Sequence, residues 1–241
     1  MKFGLYFLAT FGALALLHYP LLRLPYFWDE AGYYIPAALD FFRHGLLIPQ
    51  STLMTGHTPL LTICLALAWR LAGYSPLVTR LTMTAFAAGT LLALYALGRT
   101  LADRETAFWA CVLLGLSPLF FAQSTMALLD LPVAFTTTIA VWALLRGRMC
   151  WFAVAASLTL LTKETAIVVV PVAVVFVWLY RKPTSRSTWL WLGVPFAILS
   201  AWTLYYHHVT GYWTGGSTYL QYNLYSTLKP GRILLSLSRR L

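Results

Sequence analysis

The amino-acid sequence predicts an all-α, polytopic transmembrane helix bundle with interfacial helices in a long first outer loop. Three observations carry that prediction. Of 241 residues, 60% are hydrophobic and only 10% charged, with mean hydropathy +0.72, whereas an ordinary soluble domain carries roughly a quarter charged residues. Apolar stretches near the ~20 residues that a helix needs to cross a hydrocarbon core recur along the whole length. Basic residues cluster at the ends of those stretches, as the positive-inside bias and anionic lipid headgroups require. That placement accounts for the net charge of +10. With no basic stripe suited to a polynucleotide, it excludes nucleic acid as a partner and leaves membrane lipids as the expected surroundings.

The first span is expected over Phe3 to Leu22, with Lys2 as its cytoplasmic anchor. Ala13-Leu14-Ala15 has the composition of a weak signal-peptide cleavage site, but the apolar run continues past it and more spans follow, so an uncleaved helix is expected. Arg23 to Ser75 is too polar to span, with Asp29, Glu30, Asp40, Arg43, His44, Gln50, His57 and four prolines. Inside it, Ala31 to Phe42 sets Ile35, Leu39 and Phe42 at helical spacing, the pattern of an amphipathic helix in the interface. Thr58 to Leu71 is apolar but short and carries Arg70, which reads as interfacial or re-entrant.

Further spans are expected over Leu77 to Leu97, Ala107 to Phe121, Leu131 to Leu145 and Trp189 to Tyr206. Met149 to Tyr180 would make about 48 Å of helix, too long for one span, and Lys163-Glu164 falls near its middle. Two spans joined there return Arg181, Lys182 and Arg186 to the side of Arg146 and Arg148, as the positive-inside rule favours. Together with Arg99 and Arg104 these lie in the cytoplasm on this topology. Five of the seven acids, Asp29, Glu30, Asp40, Asp130 and Glu164, then face the opposite side. Tyr205, Tyr206, Tyr212, Trp213, Tyr219, Tyr222 and Tyr225 read as an outer-leaflet aromatic belt. Cys64, Cys111 and Cys150 read as small buried hydrophobes, without a CxxC pair.

Ionisable groups near a membrane mark function unless they can reach water. Asp29 and Glu30, beside Trp28, could bind a sugar and accept a hydroxyl proton, or form a solvated loop corner. Asp130 sits among apolar neighbours as a site carboxylate or a helix N-cap. Lys163 and Glu164 could neutralise one another, but a lysine at the outer surface is also a phosphate ligand. His57 opens the short apolar segment, and His207 and His208 fall near the interface. There is no HExxH and no Cys/His cluster of zinc spacing, so a divalent metal would have to be held mainly by dispersed carboxylates. GxSxG, Walker A and GxGxxG elements are absent as well.

Four segments, Trp28-Asp29-Glu30-Ala31-Gly32-Tyr33, Gly56-His57-Thr58-Pro59-Leu60, Leu128-Leu129-Asp130-Leu131-Pro132 and Leu161-Thr162-Lys163-Glu164-Thr165, follow in order along the chain. With them the chain resembles the polyprenol-dependent glycosyltransferases of the GT-C type, in particular the family-39 protein mannosyltransferases and the aminoarabinose transferases of lipid A. The resemblance implies Asp29 as catalytic base, Glu30 and Asp130 in the same site, and Lys163 near the lipid phosphate. Where aminoarabinose transferases have Glu-Lys-Pro-Pro, this chain has Gly56-His57-Thr58-Pro59. That removes a metal-ligating carboxylate and leaves His57 for the cationic role. Family members continue through further spans, so residues 1–241 are expected to form one transmembrane domain, the N-terminal part of such a module.

The function expected is transfer of a sugar from a polyprenyl-phosphate donor to an acceptor hydroxyl on a lipid, glycan or protein, by inverting displacement at the outer face of the cytoplasmic membrane. Asp29 would be the base, Lys163 and His57 would bind the phosphate, and Glu30, Asp130 and Tyr33 would orient donor and acceptor. The alternatives are a transporter or flippase of a lipid-linked substrate, or an inactive relative. Charges gathered at one face, rather than spread across several spans at midplane depth, favour the transferase.

Overall fold

The computed structural model describes residues 2–181 and 185–239; Lys182, from the expected cytoplasmic cluster, lies outside them. Among the described residues the chain is helical, with no strand, and forms a helical membrane bundle. Helix α1 (Lys2–Leu17) stops short of the expected Leu22. Pro20 supplies no N–H and its ring clashes with the preceding turn, so the chain closes instead as a 3-10 turn over Tyr19–Leu21. His18, buried at the end of α1, presents Nδ1 to the Leu14 carbonyl at 2.8 Å and Nε2 to the Phe121 carbonyl at 3.0 Å, tying α1 to the end of α6 (Pro118–Gln123).

After a turn of π-helix over Glu30–Tyr34, α2 (Ile35–His44) and α3 (Leu60–Ala72) pack together as an interfacial pair. Ile35 and Ala38 of α2 meet Leu61, Leu65 and Trp69 of α3, and Phe42 stands edge-on to Trp69. The 3.6-residue period seen in the sequence thus buries one face of α2 against α3. The loop between them is drawn in by Asp40, whose Oδ2 accepts from the N–H groups of Gln50 at 2.7 Å and Ser51 at 2.8 Å.

Helix α4 (Pro76–Leu101) is the longest element, and Ser75 caps it by accepting from the Val78 N–H. Small residues along its buried face let α7 (Asp130–Leu145) approach closely. A Cβ at Gly89 would lie 2.7 Å from the Phe135 ring, so that position admits glycine alone without displacing the ring. The third expected span is broken. Helix α5 (Arg104–Leu116) ends at Ser117, because the residue before Pro118 is pushed out of the helical region, and the Ser117 hydroxyl starts α6 afresh.

Helix α8 (Met149–Thr162) ends where Lys163 turns extended, and the chain resumes through a 3-10 turn over Glu164–Val168 into α9 (Val169–Phe176). Arg181 then returns to donate to the Leu145 carbonyl, which puts it at the same end of the bundle as Arg146 and Arg148. Ala140, Ala143, Phe152, Ala156, Ala173 and Leu192 of α7, α8, α9 and α10 (Arg186–Thr210), with Val177 from the π-helical turn after α9, close one core at this junction. Three helical runs, Pro76–Leu101, Glu164–Arg181 and Arg186–Thr210, are long and apolar enough to cross a membrane. At about 24 Å and 21 Å, α7 and α8 are shorter than expected of full spans, ended by Asp130 and Lys163. Cys150 is exposed rather than buried, because it lies on the outward face of α8, while Cys64 and Cys111 are half-buried.

Candidate active site

Trp28, Asp29 and Glu30 enter a helical turn, where successive side chains point about 100° apart. That rotation separates the two adjacent acids. Glu30 turns inward and is fully buried, while Asp29 stays half-buried at the surface. Glu30 accepts from both terminal nitrogens of Arg80 on α4, with Nη2 at 3.0 Å, and from the Ala127 N–H at 2.6 Å. Arg80, itself buried, donates further to the carbonyls of Thr125 at 2.8 Å and Pro25 at 3.1 Å. The pair therefore joins the first loop, α4 and the loop before α7. Both Glu30 oxygens are thus taken up by partners inside the protein, where a buried charge must be paired.

Around Tyr34 the other charged groups gather. The Lys163 ammonium donates to Asp130 Oδ1 at 3.0 Å, joining the start of α7 to the break between α8 and α9. His57 presents Nδ1 to both oxygens of Glu164 at 3.1 Å; a carboxylate only accepts, so Nδ1 carries the proton. Lys163 and Glu164 therefore do not neutralise one another; each takes a partner from another segment. The His57 ring lies 6.3 Å from Tyr34, near parallel, and 6.3 Å from Tyr219, edge-on. Burial pushes the Tyr34 phenol above its ordinary value, and the charges of Asp29, Asp130 and Glu164 push it further, so it remains a hydrogen-bond donor at neutral pH. Tyr33 lines a small cleft with Tyr34, Thr55, His57 and Thr58.

Asp29 stands apart in one respect. Among the described residues, its carboxylate forms no side-chain hydrogen bond or ion pair, while Glu30, Asp130 and Glu164 are paired with Arg80, Lys163 and His57. No group of three or more His, Cys, Asp or Glu side chains among the described residues is spaced to hold a metal ion.

Residues 56–207 match the family described as dolichyl-phosphate-mannose-protein mannosyltransferase. The chain belongs to that family. The matched stretch carries His57, Arg80, Asp130, Lys163 and Glu164, while Asp29 and Glu30 lie ahead of it. The fold is similar to the crystal structure of ArnT from Cupriavidus metallidurans in the apo state, with a TM-score of 0.64 and 19% sequence identity over 85% of this chain and 42% of that one. The chain thus spans less than half the length of that protein. No curated protein matches the sequence.

In this mannosyltransferase-family chain, Arg80, Tyr34 and Tyr219 were not singled out as site residues from sequence. Arg80 had a usable signal: an arginine inside the apolar run Leu77 to Leu97 needs a carboxylate partner. The pairing of Glu164 with His57 and the approach of Tyr34 and Tyr219 had none. Tyr219 follows a segment that folds back, where the Gly216 N–H donates to the Met54 carbonyl at 2.7 Å. That contact takes Tyr219 out of the expected aromatic belt, and Tyr206 is buried in α10. His207 stacks on Trp213 at 3.9 Å, outside the cluster around Tyr34.

Proposed function

We propose that this protein transfers a sugar from a polyprenyl-phosphate donor to an acceptor hydroxyl, by direct inverting displacement. The observation that carries the reading is Asp29, which forms no ion pair among the described residues, while the neighbouring Glu30, Asp130 and Glu164 are paired with Arg80, Lys163 and His57. A hydroxyl is a poor nucleophile at neutral pH and needs a base within hydrogen-bond reach. In the reaction the acceptor oxygen bonds to the anomeric carbon as the bond to the phosphate oxygen breaks. The hydroxyl proton passes to Asp29, and polyprenyl phosphate leaves with the bonding electrons, so no acid is required.

Lys163 serves the phosphate. Asp130 takes one of its three N–H donors and leaves two to meet phosphate oxygens. His57, oriented through Nδ1 by Glu164, is the second cation of the site once protonated. Tyr33 and Tyr34 flank donor and acceptor. Glu30 and Arg80 touch no substrate and act as positioning residues for Asp29 and for the Ala127 to Asp130 segment. Arg99, Arg104, Arg146, Arg148 and Arg181 lie at the far ends of the helices from this site, which supports a site facing out of the cytoplasm from the cytoplasmic membrane.

Asp29→Asn keeps the size and loses the base. In the full-length protein reconstituted in lipid, it should lower transfer from a defined polyprenyl-phosphate sugar about 10²- to 10⁴-fold while donor-lipid binding stays near wild type. Undiminished transfer by the Asn variant removes Asp29 from the mechanism.

A further inference from the structure

At the other end of the bundle, unconnected with the transfer site, lies a groove of about 1200 Å³ between α1, α4 and α5. Its inner part is apolar, with Leu14 from α1, Leu91 from α4 and Leu116 from α5. Its mouth is not. Tyr6 and Tyr95 meet there with Arg99 and Arg104, both exposed, and with Glu105. Among the described residues neither arginine forms an ion pair; Arg99 lies 5.9 Å from the Tyr95 ring, and the nearby Asp103 is occupied in capping Thr106 at 2.7 Å.

Two features identify what fits. From Arg104 to Leu116 and from Tyr6 to Leu17 the walls run about 17 to 18 Å, close to one leaflet of a hydrocarbon core about 30 Å thick. The polar mouth then sits at the headgroup level, where tyrosines and arginines are favoured and where two guanidinium groups without an ion-pair partner among the described residues can meet a phosphate. The occupant is a molecule with an acyl chain one leaflet long and a negatively charged head. We propose that this groove binds one anionic phospholipid of the cytoplasmic leaflet, its phosphate held between Arg99 and Arg104 and an acyl chain laid along α4 toward Leu91. Such a lipid would fill the space between α1 and α5, both of which pack on α4.

The test is native mass spectrometry of the purified, delipidated full-length protein titrated with phosphatidylglycerol or with phosphatidylcholine of the same acyl chains. One phosphatidylglycerol per chain should be retained in preference to phosphatidylcholine. At about 5-fold per arginine, Arg99→Gln with Arg104→Gln should weaken phosphatidylglycerol about 30-fold and phosphatidylcholine, whose choline cation offsets its phosphate, by less. Gly115 lines the groove, and a Cβ there meets nothing within 4 Å. Gly115→Trp should therefore fill the groove and weaken both lipids without disturbing the helix packing. Equal retention of the two lipids, or wild-type retention by either variant, overturns the proposal. So does cross-linking of Gly115→Cys to another segment of the protein or to a second copy, which would show that protein covers the groove.

Discussion

Replacing Arg80 by Met tests whether the Glu30–Arg80 pair organises the site. Met conserves much of the side-chain volume and deletes the charge. The Glu30 side chain is 0% exposed and that of Arg80 is 3% exposed. Without Arg80, Glu30 keeps the Ala127 N–H at 2.6 Å and a long contact from the Phe27 N–H at 3.5 Å, neither of which neutralises a buried carboxylate. Breaking a buried pair by removing one partner costs about 3 to 5 kcal/mol. The carbonyls of Pro25 and Thr125 lose their donor as well. We expect Arg80→Met to lose about 3 to 5 kcal/mol in reversible denaturant unfolding in mixed micelles.

Adding Glu30→Leu removes the orphaned charge and leaves only the two carbonyls, so the double variant should recover at least about 2 kcal/mol of that loss. Both variants should lose transfer, because Asp29 and the Ala127 to Asp130 segment are no longer held to α4. Arg80→Met within about 1 kcal/mol of wild type, or a double variant no more stable than the single one, refutes the assignment of this pair as the buried tie of the site.

Lys163→Met should raise the KM for the lipid-phosphate donor about 10-fold, a modest figure because the side chain is 32% exposed and its charge is screened, while Lys163→Arg keeps most of the affinity; steady-state kinetics decides. Gly56 has φ +79°, and a Cβ there would lie 2.2 Å from the Gly215 backbone nitrogen, so Gly56→Ala should release the 211–225 segment and raise proteolytic cleavage there at least several-fold. At Asp40 burial opposes ionisation, but the Ser51 and Gln50 N–H groups outweigh it and hold the carboxyl below its ordinary value. A depressed folded value stabilises fully above the unfolded value, about 3.9, and the stability is lost as pH falls below it. Cleavage within residues 45–59 should therefore rise only in acid below about pH 4, and Asp40→Asn should show the same opening at neutral pH.

The order of apolar runs by itself determined a helical membrane bundle, because lipid satisfies no backbone group and every span must be a helix that its hydropathy reveals. The break at Lys163 was legible in the same way, since Met149 to Tyr180 is too long for one crossing and the flanking basic clusters call for a return. Helix ends were less legible. Pro20 and the Ser117-Pro118 step cut α1 and α5 short within runs that hydropathy alone reads as continuous.

The charged residues of the candidate site were visible as charges that an apolar chain would otherwise avoid. Their pairings were not. Glu30 meets Arg80 across 50 residues, Asp130 meets Lys163 across 33, and His57 meets Glu164 across 107. Adjacent acids look equivalent in sequence, yet a turn of helix points Glu30 into the bundle and leaves Asp29 facing out. That difference in burial depends on which carboxylate the fold can reach with a buried arginine, and only the tertiary structure decides it.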